Sequence, residues 1–223
     1  MKQSLFFQAI TKFLLGVVLV GVLIFFPAGT IRYFGGWLLM GVLFIPMFLA
    51  GLVMLQKSPQ LLRKRLQAKE AQSEQSTVIK LSGLMFLAGF ILAGLSFRFG
   101  WLQLPPSLTW LGAGLFLIAY ALYAEVLREN VYLSRTIEVQ ENQTVVDTGL
   151  YDVVRHPMYA VTVLLFLSMP LILGSLLSFI IFLAYPAILV KRIRNEEEVL
   201  EAGLLGYKAY KQKVKYRMIP FIW

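Results

Sequence analysis

Apolar residues in this chain run in long blocks, broken by short polar punctuation rather than alternating with polar ones. A helix that crosses a bilayer needs about 20 mostly apolar residues. Leu5–Phe26 meets that length and is stopped by Pro27-Ala28-Gly29. Phe34–Leu55 is the second such block, and a polar, basic segment from Gln56 to Lys80 follows it. Leu81–Phe99 is the third, closed by Gly100 and then Pro105-Pro106, and Leu108–Leu127 is the fourth. A polar stretch from Arg128 to Tyr159 comes next, then apolar residues over 160–190. That last run is long for one span and short for two. Gly174-Ser175 near its middle, with Met169-Pro170 just before, predicts a turn between two short helices. The tail from Lys191 to Trp223 reads as a basic, amphipathic helix ending near Pro220.

The pattern predicts an all-α, multi-pass transmembrane helical bundle: four spans plus a carboxy-terminal helical hairpin. It divides into a transmembrane region, 1–130, and a region 131–223 that holds the polar segments, the 160–190 hairpin and the basic tail. A single tilted span over 160–190 is the competing reading. It would leave the eight basic residues of the tail on the face opposite the other basic segment.

Composition sharpens the membrane reading. The chain is 58% hydrophobic and 15% charged, with a mean hydropathy of +0.72, far more apolar than a soluble domain. It has no cysteine and one histidine, so disulfides and thiolate chemistry are excluded and no dedicated metal centre is expected. A net charge of +9 is explained by basic residues flanking spans, which set topology and meet anionic headgroups, rather than by nucleic-acid binding. Lys57, Arg63, Lys64, Arg65, Lys69 and Lys80 crowd the 56–80 segment, whereas the opposite turns carry Arg32 and Arg98. The positive-inside rule then places 56–80, both termini and everything after the fourth span in the cytoplasm. Lys2 precedes an apolar run without a small-residue cleavage pattern, so the start of the chain reads as a first span.

Candidate chemistry concentrates in the polar segments, which this topology brings to one membrane face. Arg155-His156-Pro157-x-Tyr159 holds the only histidine; it is read either as a helix-entry signal or as part of a site. Gln140 to Tyr151 is either a solvated loop or a backbone-rich wall for a nucleoside-bearing cofactor. Arg192 and Glu196 lie four apart on one helix face. They form either an ordinary ion pair or a split pair, with Arg192 for an anionic substrate and Glu196 for a cationic group of a cofactor. Tyr207, Tyr210 and the lysines around them suit a helix lying on anionic lipid, or a pocket wall.

The ordered blocks Gln140-Glu-Asn, Gln143-Thr-Val-Val146, Gly149-x-Tyr151-x-x-x-Arg155-His156-Pro157-x-Tyr159 and Arg192-x-x-x-Glu196-Glu197-x-x-Leu200 resemble isoprenylcysteine carboxyl methyltransferases and related phospholipid methyltransferases. The resemblance covers about 135–220 and implies S-adenosylmethionine as cofactor, bound in a pocket at the cytosolic face. It implies cofactor contact by Gln140, Gln143, Thr144, Val145, Val146, Tyr151, His156, Pro157, Met158, Tyr159 and Glu196. It implies substrate binding by Arg192, so that Arg192 and Glu196 form the catalytic pair of region 131–223. The expected substrate is a lipophilic or prenylated acceptor, methylated on its carboxylate. A phospholipid amine or a thiol acceptor, an NADPH-dependent membrane reductase with a similar His-Pro turn, and a non-catalytic membrane protein are the alternatives. A carboxylate is ionised at neutral pH, so its methylation needs no general base, and His156 is expected to shape the pocket rather than to move a proton.

Overall fold

The computed structural model describes residues 2–67, 73–133 and 137–223. Within them the regular elements are helices: α1 Lys2–Ala28, α2 Phe34–Lys57, α3 Pro59–Gln67, α4 Ser73–Phe99, α5 Pro106–Glu129, α6 Leu150–Val153, α7 Pro157–Ile172, α8 Leu176–Phe182, α9 Ala184–Gly203 and α10 Tyr207–Lys213. Among the described residues there is no strand, only an isolated bridge between Gln103 and Ser175.

Five helical stretches are long and apolar enough to cross a membrane: Ser4–Ala28, Phe34–Lys57, Ser76–Phe99, Pro106–Glu129 and Leu176–Gly203. The chain is thus a multi-pass helical bundle. The 160–190 run is two helices with a turn between them, as the Gly174-Ser175 signal predicts, and the single tilted span is excluded. Gly174 takes a φ of +64° there, a conformation that costs glycine little.

Three boundaries differ from expectation. The 56–80 segment is not a loop: α3 and the start of α4 occupy its described parts, while Lys69 lies outside the described residues. The helix leaving the hairpin does not stop near 190 but runs on to Gly203. The tail is correspondingly not one amphipathic helix to Pro220. It breaks at Leu204–Gly206, where Gly206 has a φ of +87°, forms the short α10, and continues without helix from Val214. The charged, amphipathic pattern of the tail predicts one helix, but tertiary contacts of Tyr207, Tyr210 and Val214 decide the path instead.

Helix α5 packs most extensively on α7, and α1 on α4. Close approach is allowed by missing side chains: a Cβ on Gly94 would stand 2.6 Å from the Ile24 carbonyl oxygen. The deepest side chains include Phe116, Phe182, Ile24, Leu39 and Ile172. Leu14, Leu15, Val18, Leu19 and Val22 of α1 instead point outward, as a lipid-facing helix requires.

At one end of the bundle the turns are tied together. Tyr33 Oη donates to the Leu173 carbonyl at 2.5 Å, and its ring stacks on Phe97 at 4.1 Å. The Leu104 N–H donates to the Gly174 carbonyl (2.9 Å) and the Leu176 N–H to the Leu102 carbonyl (3.1 Å). The opposite end, where α5 and α9 finish and α4 and α7 begin, is where the polar segments gather.

Candidate functional site

A cavity of about 520 Å³ opens at that end. Its upper wall is the strip Gln143–Val146 with Tyr132 and Glu138; its far wall is α10 with Leu204, Tyr207 and Tyr210. Its floor is apolar and comes from α4 (Val78, Ile79, Phe86), α7 (Phe166) and α9 (Leu189). Aromatic rings meet there, Phe86 edge-on to Phe166 with centroids 4.8 Å apart and Phe166 tilted against Tyr185 at 4.6 Å. One chamber therefore joins a polar upper end to an apolar lower one.

The segment that enters α7 is shaped residue by residue. Gly149 has a φ of +54°, and a Cβ there would lie 1.6 Å from Glu129 Oε1. Only glycine fits, because the Glu129 carboxylate sits over this turn and accepts the Leu150 N–H at 3.0 Å. After α6 the backbone is extended at Val154, His156 stands outside the helical region with φ −125° and ψ 60°, and Pro157 takes the first position of α7. In that stretch the Arg155 N–H donates to the Tyr216 carbonyl (2.9 Å) and the His156 N–H to the Arg217 carbonyl (2.7 Å). The tail thus runs beside the Arg-His-Pro turn and holds it.

Beneath that backbone pairing lies a buried charge cluster centred on Glu197. Its Oε1 accepts from Arg155 Nε at 2.8 Å and lies 3.3 Å from His156 Nε2, and its Oε2 accepts from Arg217 Nε at 3.0 Å. Lys211 Nζ stands 3.8 Å from the same Oε2. The Arg155 guanidinium also donates to the carbonyls of Val214 (2.7 Å) and Lys215 (2.8 Å). A buried charge is tolerated only when paired and hydrogen-bonded, and this one is surrounded. The His156 ring is held at this cluster, beside the turn.

One residue earlier on α9, Glu196 faces the cavity. Tyr159 Oη donates to Glu196 Oε2 at 2.5 Å and accepts from Arg192 Nε at 2.9 Å. The Arg192 guanidinium also lies over the Tyr159 ring, 5.9 Å from its centre. The i,i+4 pair that the sequence places on one face is therefore bridged by a phenol from α7. Arginine has only donors, so the hydroxyl must accept from Arg192 and give its single proton to Glu196.

Of the residues singled out by sequence, Gln143, Thr144, Val145, Val146, Tyr151, His156, Met158, Tyr159, Arg192 and Glu196 line this cavity together. Gln140 and Pro157 are not among the lining residues. Gln140 builds the turn instead: its Nε2 donates to the Tyr132 carbonyl at 2.6 Å, and its N–H donates to Gln143 Oε1 at 2.8 Å.

Tyr207 and Tyr210 do not lie on a lipid surface. Both are buried in a small cluster with Leu204, Val214, Val139 and Val145, and Tyr210 Oη donates to the Tyr151 carbonyl at 2.7 Å. Burial raises the phenol pKa of Tyr151, Tyr207 and Tyr210 well above the ordinary value. The lysines of α10 pair with neighbouring acids, Lys213 with Asp152 of α6 (2.9 Å) and Asp147 before it (3.3 Å), and Lys211 with Glu201 of α9. Among the described residues, no group of three or more His, Asp or Glu side chains could hold a metal ion.

Sequence reasoning missed the Glu197 hub, the α4 wall and the depth of Tyr207. Glu197 had a signal: Tyr185, Leu189, Ile193 and Glu197 recur every fourth residue and form the buried ridge of α9. An acid that continues an apolar ridge has to meet buried cations.

A family model matches residues 111–202, from the body of α5 through to the end of α9. The model is that of the isoprenylcysteine carboxyl methyltransferase (ICMT) family, to which this part of the chain is similar. The matched stretch contains Tyr151, the Arg155–Tyr159 turn, Arg192, Glu196 and Glu197. A match to that family in a chain with five membrane-length apolar helices supports a membrane methyltransferase. The chamber offers the Glu196 acid and the strip 143–146 beside apolar walls, a lining that fits a ligand with a cationic end and a nucleoside.

Proposed function

We propose that this protein is an S-adenosylmethionine-dependent methyltransferase acting on a lipophilic acceptor held in the membrane, with carboxyl O-methylation of an isoprenylcysteine-like compound as its reaction. The observation that carries the reading is the single chamber in which Glu196 and Arg192, bridged by Tyr159, stand between a polar strip and an apolar floor. Such a chamber takes a polar cofactor and a greasy acceptor end to end.

When bound, S-adenosylmethionine supplies an electrophilic methyl group on a sulfonium. The protein's part is to bind, align and exclude water, since displacement needs the nucleophile in line at about 3–3.5 Å. Glu196 pairs with the cofactor's ammonium, while Gln143, Thr144, Val145, Val146, Tyr151 and Met158 form its wall. His156 and Pro157 fix the turn from which Tyr159 projects, and Gln140 braces the 143–146 strip. Arg192 grips the acceptor carboxylate with a planar fork of donors. The apolar tail of the acceptor lies along Leu189, Phe166 and Phe86. The basic 56–80 segment orients this end of the bundle, and with it both termini, toward the cytoplasm.

Transfer of radiolabelled methyl into a lipid extract tests the reading. Activity is expected from the wild type and lost in both Glu196→Ala and Arg192→Ala. Full activity in both variants would remove the site assignment. Stabilisation by NADPH but not by S-adenosylhomocysteine in a thermal-shift comparison would replace the methyltransferase with a reductase.

A further inference from the structure

Tyr207 holds the most conspicuous polar atom that nothing above uses. It opens α10 and is 4% exposed. Among the described residues its hydroxyl has no hydrogen-bond partner. Leaving such a group unpaired in the interior costs free energy, so it requires an explanation. Its neighbours Tyr151 and Tyr210 differ: the Tyr151 hydroxyl accepts from Asn130 Nδ2 at 3.0 Å, and that of Tyr210 donates to the Tyr151 carbonyl. Tyr207 also lines the chamber, in company with Glu196, Arg155 and Val145.

The electrostatic setting narrows what the hydroxyl can meet. The Glu197 carboxylate beneath is met by Arg155 and Arg217 and approached by Lys211. Lys211 also pairs with Glu201, so each charge of this cluster is matched by a partner, and the Tyr207 hydroxyl is left as a donor without an acceptor in the chamber that Glu196 also lines. An amino-acid group meets both needs on one carbon: an ammonium for Glu196 and a carboxylate oxygen for the hydroxyl.

We propose that Tyr207 is a methyl-donor-binding residue, whose hydroxyl donates to the α-carboxylate of the cofactor's amino-acid end while Glu196 takes the α-ammonium. The assignment rests on the methyl-donor reading of the chamber and adds a residue that lies beyond the segment matched to the family. Burial holds the phenol protonated through the neutral range, so its proton is available to donate.

The test is calorimetric binding in nanodiscs of S-adenosylhomocysteine and of its decarboxylated analogue, to the wild type and to Tyr207→Phe. A hydrogen bond to a charged group makes the expected loss for S-adenosylhomocysteine about tenfold or more. The analogue, which has no carboxylate, is expected to bind the two proteins within about twofold of each other, on the same reasoning. The ligand-free melting temperature of Tyr207→Phe is expected to equal or exceed that of the wild type, because an unpaired buried hydroxyl has been removed. Equal losses for both ligands, or no loss for either, would overturn the assignment while leaving the methyl-donor reading standing. Failure of Tyr207→Phe to fold would overturn it too, since the hydroxyl would then have a structural partner. No binding of S-adenosylhomocysteine by the wild type would sink the methyl-donor reading and this assignment together.

Discussion

Glu197→Gln tests the buried hub directly. Oε1 of Glu197 accepts from Arg155 and faces His156, while Oε2 accepts from Arg217. A glutamine has one oxygen and one amide nitrogen. Whichever way it turns, its NH₂ points at a guanidinium donor, so one charge-assisted bond, worth about 1.5–3 kcal/mol, is lost. The Arg155 guanidinium keeps the Val214 and Lys215 carbonyls but loses its counter-charge. Breaking a buried pair from one side costs about 3–5 kcal/mol in total. For a chain of this size that corresponds to a fall of roughly 6–20 °C in melting temperature. The assay is thermal unfolding in detergent, with exposed Glu198→Gln as the control, expected within about 0.5 kcal/mol of wild type. Hydrogen exchange should show residues 214–218 losing protection in the same variant. If Glu197→Gln melts within about 3 °C of the wild type, the hub does not hold the tail on the Arg-His-Pro turn and the argument for it fails.

Other expectations follow from single contacts. Gly149→Ala places a methyl where Glu129 Oε1 now lies, at a positive φ; a cost above about 2 kcal/mol is expected, and a variant as stable as wild type would mean that the turn is soft. Tyr159→Phe keeps the ring but removes the bond to each of Arg192 and Glu196, so steady-state KM should rise about tenfold or more for both methyl donor and acceptor; a rise for one alone would show that the phenol serves one side only. Burial raises the phenol pKa of Tyr151, Tyr207 and Tyr210 in the folded chain, whereas an unfolded phenol titrates near about 10. The stability this linkage supplies is complete below pH 10 and is lost as pH rises from there toward the folded values. Melting scans from pH 8 to 11.5 should therefore fall more steeply for the wild type than for the Tyr207→Phe/Tyr210→Phe double variant, and equal slopes would refute the linkage.

Much of the architecture was legible because membrane helices announce themselves by length and apolarity. The four long blocks became α1, α2, α4 and α5, and the Gly174 turn divided the fifth run where glycine and serine stand. The tail was not legible, and the reason is physical. Periodic charge predicts helix only when no tertiary contact competes, and here Arg155 takes the Val214 and Lys215 carbonyls out of any helix. The site was partly legible. Spacing put Arg192 and Glu196 on one face, but no local pattern reveals that a phenol 33 residues away from Arg192 bridges them. Gln140 was misleading for the same reason: a glutamine amide in a polar segment advertises ligand binding, yet this one is occupied with the Tyr132 carbonyl.

Adjacent acids on α9 show how one helix serves two ends at once. Successive residues on a helix point about 100° apart, so Glu196 can face the chamber while Glu197 continues the buried ridge of Tyr185, Leu189 and Ile193. Glu197 fixes the Arg-His-Pro turn and the tail; the turn starts α7 and so places Tyr159, and Tyr159 meets Arg192 and Glu196. The tail also carries Tyr207 and Tyr210 to the far wall of the chamber. A single buried carboxylate therefore ties together three of the elements that shape the cavity: the α7 entry, α9 and the segment after it. On this geometry, damage at Glu197 should weaken donor and acceptor binding together, although its carboxylate faces the arginines beneath the turn rather than the chamber.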